Sequence, residues 1–449
     1  MPVIRTLISL CLMASCSAAA WAAEPALKVA PIAYTERTLA NGLKVIAARS
    51  DASPTVAIQV WYHVGGRDDP AGRSGFAHLF EHLMFKGTRH LKNEQFDRLT
   101  EDVGGENNAF TSDDVTAYLS VVPSNHLETL LWAEAERMAN LNVDEANLKS
   151  ERAVVQEEFR ERVLATPYGR FYRAWGPSSY LVDPYRFGTI GSIADLDAAS
   201  LADVVAFHRT YYRPDNATLV VAGDFDPAQL QAWVDKYFGP VARPAAPVPR
   251  VTQGELPWTQ DRVARVTGPK VPLPAVALSW LAPPVRHADT AALRVAQALL
   301  SGGQSARLYQ ALVYRSQLAS DAGFYADLRA GPGLLVAYAT AAGGKTLPAV
   351  KSALMAEVMR LASQPPTAAE LSRAKTGLLT EAITTRQTPA GLAQALADAA
   401  VLEGGPAMAN RNLEALAAVT AVDVQRVVRT YLRGPRHVAI EYTQEGNAK

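Results

Sequence analysis

The segment Gly75-Phe-Ala-His78-Leu-Phe-Glu81-His82-Leu-Met-Phe-Lys-Gly87 carries more chemistry than any other stretch of the chain. Phe76, Leu79, Phe80, Leu83 and Met84 recur at helical spacing and Gly87 supplies a stop, so a helix is predicted here. Residues four apart share a helical face, which brings the imidazoles of His78 and His82 within reach of one ion. Glu81, three residues after His78, lies on that face and can reach a water on the metal without being a ligand itself. Zinc lowers the pKa of such a water to about 7, and a neighbouring carboxylate can take its proton. This is the inverted H-x-x-E-H arrangement. With eight histidines in the chain, the pair also reads as two core residues on a half-buried helix. A third ligand decides between the two.

Residues 147–163 form another strongly helical stretch and contain Glu151, Glu157 and Glu158. Glu151 and Glu158, seven apart, share a face that has Val154 and Val155 at its edge. Glu157 is turned from Glu158 by about 100°, towards solvent. Two neutral histidines and one carboxylate would leave a fourth position for water, as a catalytic zinc site requires. Between these segments, Gly104-Gly105 and Asn107-Asn108 read equally well as a plain turn before a strand or as part of a site. His63, His90, His126, His208, His287 and His437 have no partner at metal spacing and read as structural or surface residues.

Further out, residues 238–249 place four prolines within ten positions, which excludes a helix or a central strand and marks a connection between two halves. The halves resemble each other. Asp203-Val204, Arg209-Thr210-Tyr211 and Arg213 recur at a constant offset of 220 as Asp423-Val424, Arg429-Thr430-Tyr431 and Arg433. Each block reads as a helix leading into a strand, 217–222 in one half and 437–442 in the other. Val56, Ile58, Val60 and Tyr62 alternate with Ala57, Gln59, Trp61 and His63, a period-two strand. Leu127, Leu130, Leu131, Ala135 and Met138 predict an amphipathic helix over 125–141. The expected fold is α+β: two homologous domains, each a mostly antiparallel sheet with helices on one face. The boundaries read 1–23 export segment, 24–238 first domain, 239–257 linker and 258–449 second domain.

The 449 residues include 44 basic and 44 acidic ones, so neither a nucleic-acid footprint nor an acidic tail is indicated. Hydrophobic residues at 49% and charged residues at 20% exclude a disordered chain. Arg5, the apolar run 7–13 and Ala20-Trp21-Ala22 have the layout of a secretory signal peptide cleaved near Ala22 or Ala23. That run is too short to span a bilayer, and no later segment is long enough. Cys11 and Cys16 both lie in the export segment 1–23, so the mature chain would carry no disulfide and no thiolate metal site. Met13-Ala14-Ser15-Cys16 is also a loose lipoprotein box, the alternative in which Cys16 is acylated and tethers the protein.

Taken together, residues 75–88, 104–111, Asp114 to Tyr118 and Glu151-Arg152-x-x-Val155-x-x-Glu158 resemble the pitrilysin or insulinase family of inverzincin metallopeptidases, in particular its small processing-peptidase branch. The resemblance covers the whole mature chain, with its specific motifs in the first half. It implies one Zn2+ per chain held by His78, His82 and Glu158, since the family's third ligand stands about 76 residues after the second histidine. It further implies Glu81 as general base and Glu151 as a carboxylate that orients a histidine ligand. The family's substrate strand corresponds to residues 107–111, with Asn108, Ala109 and Phe110 as the substrate-binding positions. An extended peptide or unfolded segment adds to it by main-chain hydrogen bonds, with Asn108 as a side-chain contact.

The family fold encloses a chamber with four such domains, and chains of this length supply two and pair. The chain departs from the family in one respect. Where active members carry an arginine and a tyrosine seven apart in the second half, the corresponding positions here are Val313 and Ser320, with Tyr314 and Arg315 wrongly spaced. That departure implies a paralogous subunit supplying the missing pair, a heterodimer, with a homodimer as the alternative. The expected activity is a periplasmic or secreted zinc endopeptidase; the rival is a non-catalytic scaffold subunit of the same fold.

Overall fold

The computed structural model describes residues 29–434 and 436–446. The expected export segment, residues 1–23 with Cys11 and Cys16, lies outside the described residues. Strands β1 (Thr35–Thr38), β2 (Lys44–Arg49), β3 (Thr55–Tyr62), β4 (Glu106–Thr111), β5 (Thr116–Pro123) and β6 (Ala217–Gly223) form one sheet in the order β1-β2-β6-β3-β5-β4. Strands β7 (Arg262–Gly268), β8 (Ala275–Ala282), β9 (Ala319–Asp327), β10 (Gly333–Ala341) and β11 (Val438–Gln444) form a second, ordered β7-β11-β8-β10-β9.

Without β1, the two sheets have the same topology. In each, the last strand of the half inserts beside the first, parallel to it (β6 on β2, β11 on β7), and every other pairing is antiparallel. The repeated sequence block is repeated structure. Ser200 and Thr420 each accept from the backbone of an aspartate three residues on, Asp203 or Asp423, whose carboxylate bonds back to the cap. Both capping boxes start a helix that feeds the inserted strand. The chain is an α+β protein of two homologous domains.

The helices α1 (Phe76–Leu83), α2 (Gln95–Glu101), α3 (Leu127–Asn140) and α4 (Glu145–Phe159) belong to the first domain. Phe76, Leu79, Phe80 and Leu83 of α1 and Leu130, Leu131 and Met138 of α3 bury against Val56, Ile58, Val60 and Tyr62 of β3. This is the core that the alternating pattern predicted. The opposite face of β3 is also covered. Ala57, Trp61 and Gln59 are at most 2% exposed, under a helix from the second domain, Pro389–Val401, whose Ala393, Leu396 and Ala397 are fully buried there. Gln59 donates from Nε2 to the carbonyl of Ala390 and accepts from Trp61 Nε1, so a polar residue on that face is no sign of solvent.

The exchange is reciprocal. Phe171, Tyr180 and Tyr185 of the first domain cover Ala275, Ala277, Val336 and Ile440 on the second sheet. Gly169, which opens the two short helices Gly169–Arg173 and Trp175–Ser179, and Pro389 stand at the same 220-residue offset as the sequence repeat. Each domain thus lends an equivalent helical segment to the far face of its neighbour's sheet.

Candidate metal centre

The metal-motif helix α1 is fixed at its start by two devices. Gly75 adopts φ 87°, and a side chain there would collide with the carbonyl oxygen of Ile190. Asp69, partly buried, accepts from the backbone N–H groups of Gly75, Phe76 and Ala77 at 2.7, 3.2 and 2.8 Å, satisfying the free donors of the first turn. With Phe76, Leu79, Phe80 and Leu83 turned into the core, His78, Glu81 and His82 are left on the face towards α4 and β4. α4 begins at an Asp144 cap, which accepts from Asn147 N, and carries Glu151 and Glu158 two turns apart.

The structure brings His78, His82 and Glu158 together: one ligand atom from each lies within 4.8 Å of the other two, the one such group among the described residues. Glu158 Oε2 is 3.5 Å from His78 Nε2 and 3.7 Å from His82 Nε2. Two donors each about 2.1 Å from a tetrahedral ion stand about 3.4 Å apart, so the spacing suits zinc. The oxygen itself argues the same way. Glu158 Oε2 is buried and has no hydrogen-bond partner, a costly state for a carboxylate unless a cation faces it. Burial, then the nearness of His82 and Arg162, pushes His78 down to about 4, which keeps its imidazole in the neutral form that binds metals. The residues present fit a divalent zinc ion.

Around this trio, Glu151 Oε2 stands 3.5 Å from His82 Nδ1, the ring nitrogen facing away from Glu158, and Lys86 Nζ bonds Glu151 Oε1 at 2.9 Å. Burial raises the Glu151 carboxyl, but its contacts with His82 and Lys86 outweigh that and hold it below its ordinary value. Glu81 accepts a hydrogen bond on Oε2 from the Thr111 hydroxyl at 2.5 Å. Burial pushes the Glu81 carboxyl up, and the Thr111 bond offsets part of the rise. Glu157 points to solvent and pairs with Arg160.

Asn108, Ala109 and Phe110 lie on β4, the edge strand of the first sheet, paired with β5 on one side. Asn108 is exposed, while Phe110 meets Trp61 edge-on at 5.3 Å on the opposite face from Thr111. In the second domain Tyr314 is exposed and Arg315 donates to the carbonyl of Gln310.

Sequence reasoning missed Lys86, Thr111 and Arg162 as parts of this site. Lys86 and Arg162 each follow a site residue by four positions, Arg162 in the helical turn after α4 and Lys86 just past the end of α1, a spacing that was there to read. Thr111 fell at the end of the expected substrate strand, but its contact with Glu81 gave no signal, because it joins a strand to a helix 30 residues away.

A duplicated α+β chain with this donor set beside a free strand edge defines the class of two-domain zinc-peptidase-like proteins. Comparison with known proteins agrees. Residues 44–166 match the family described as Insulinase (Peptidase family M16), and residues 198–378 match Peptidase M16 inactive domain. The chain belongs to the pitrilysin/insulinase family.

It is 35% identical over 289 residues to the zinc protease PqqE of Helicobacter pylori, a stretch covering 64% of this chain and 65% of that one. The solved structure of a protease from Helicobacter pylori superposes with a TM-score of 0.88 at 28% identity, covering 92% of this chain and 99% of that one. The periplasmic protease PqqL of Escherichia coli shares the fold at 19% identity and TM-score 0.75, with 93% of this chain matching 48% of that one.

Proposed function

We propose that this chain is a zinc-dependent endopeptidase, exported to the periplasm or secreted, that cleaves peptides or unfolded polypeptide segments. The reading is carried by one observation: two imidazole nitrogens and a buried, unpartnered carboxylate oxygen converge beside a second carboxylate, Glu81, that belongs to none of them. His78, His82 and Glu158 would hold one Zn2+, whose chemistry when bound is Lewis-acid polarisation of a water and of the scissile carbonyl.

Glu81 takes the proton of the attacking water and delivers it to the leaving amine. Thr111 occupies one Glu81 oxygen and leaves the other for that exchange. Glu151, held by Lys86, fixes the ring orientation of His82. The free edge of β4 at Asn108, Ala109 and Phe110 takes an extended substrate by main-chain hydrogen bonds, which selects flexible chains over folded ones.

The catalytic unit is a pair of chains. A second, paralogous subunit supplies the arginine and tyrosine absent from positions 313 and 320; a homodimer is the simpler alternative. The match to about half of a double-length chain supports pairing. The rival reading, a non-catalytic scaffold, predicts a folded protein without zinc.

The test is Glu81→Gln. Zinc content equal to that of the native protein, with loss of at least about a thousandfold in cleavage of an unfolded polypeptide, is expected. Equal cleavage by native and variant chains overturns the reading.

A further inference from the structure

Most of the groups around the metal centre have an evident support: Thr111 for Glu81, and Glu151 with Lys86 for His82. Among the described residues, Glu158 has one partner besides the imidazoles: Arg162, whose Nη2 lies 2.6 Å from Glu158 Oε1. The other oxygen, Oε2, is the buried, unpartnered one facing His78 and His82. Resting on the zinc reading above, we propose that Arg162 is a positioning residue. It occupies Oε1 so that Glu158 presents Oε2 alone to the metal and leaves a coordination position free for water.

Local structure supports this. Straight after Glu158 the helix α4 passes into a π-helical turn, Arg160–Ala165, a rare geometry that concentrates at functional sites. Gly169 closes on that turn so tightly that a side chain there would collide with the carbonyl oxygens of Arg162 and Val163. The backbone that carries the guanidinium is therefore held in place. The Arg162 side chain is 69% exposed, against 17% for Glu158. An ion pair this open contributes little to folding, which separates a positioning role from a structural one.

The experiment measures zinc affinity by competition with a chromogenic chelator, alongside melting of the metal-free proteins. Arg162→Ala is expected to weaken zinc binding by about tenfold to a hundredfold, the usual effect of losing a group that orients a ligand. Arg162→Lys, which keeps the charge but not the planar fork, should recover part of that loss. Metal-free melting should be the same for all three proteins. Native zinc affinity in a folded Arg162→Ala protein overturns the proposal while leaving the zinc reading intact. A native chain that takes up no zinc overturns both.

Discussion

Thr111 shows what one hydroxyl can decide. A charge-assisted hydrogen bond to a partly buried carboxylate is worth about 1.5–3 kcal/mol, and here it fixes which Glu81 oxygen stays available. Thr111→Val preserves volume and strand propensity while removing the donor. The expected result is kcat lowered by about tenfold or more, with KM and zinc content unchanged. A Thr111→Val enzyme turning over at the native rate would show that the contact is incidental. The same scale explains what the sequence could and could not reveal. His78, Glu81 and His82 were legible because a helix turns fixed spacing into a shared face. Glu158 needed the family spacing as well, since the helical pattern left Glu151 on the same face. The structure separates the two: Glu158 Oε2 faces both Nε2 atoms, whereas Glu151 lies behind His82.

At the level of elements, the helices 125–141 and 147–163 and the duplicated helix–strand blocks were readable, because apolar residues recurring along a single element betray it. The exchanged helices were not. Residues 389–401 are rich in alanine, and small residues give little periodic contrast, so nothing in the sequence said which sheet this helix would cover. Ala57, Gln59 and Trp61 likewise passed for the outer side of β3, because a covered sheet face and a solvated one differ in their partner rather than in their own residues. The partner makes the prediction here. Leu396 is fully buried among Trp61, Ala57 and Val220, so Leu396→Ala should leave a cavity costing about 2–5 kcal/mol. A fall in the urea midpoint detected by first-domain tryptophan fluorescence would show that this helix stabilises the sheet it covers rather than the one it follows. An unaltered midpoint would refute the coupling.

Across the whole molecule the two domains also meet through partly buried ionisable groups. The turn between β4 and β5 presents Asp113 and Asp114 to the loop between β9 and β10. Arg329 Nη1 lies 3.1 Å from Asp113, and the backbone of Ala330 donates to Asp114. Tyr185 donates to Asp114 at 2.5 Å and accepts from Gly331 N. This junction sits one turn beyond Thr111, so the position of the second domain bears directly on the strand beside the metal centre. Its weak point is Asp113. Burial is the main cause that raises this carboxyl from its ordinary 3.8 to about 6; Arg329 opposes the rise, and Asp327, Asp114 and Asp183 add to it. The folded protein therefore keeps a proton on Asp113 between pH 4 and 6 that the unfolded chain has released. Stability from this group is full below its unfolded pKa and declines as pH climbs through about 6, by about 3 kcal/mol for a two-unit shift. Asp113→Asn keeps the shape and cannot ionise. The difference in unfolding free energy between variant and native protein should move in the variant's favour by up to about 3 kcal/mol from pH 4 to pH 7. His63, His78 and His208, each pushed down to about 4 chiefly by desolvation, titrate over the same range but are common to both proteins and cancel in that difference. Denaturant midpoints of the pair at the two pH values measure it, and a difference that does not change with pH would mean that Asp113 is ionised in the folded protein throughout, with Arg329 outweighing the burial.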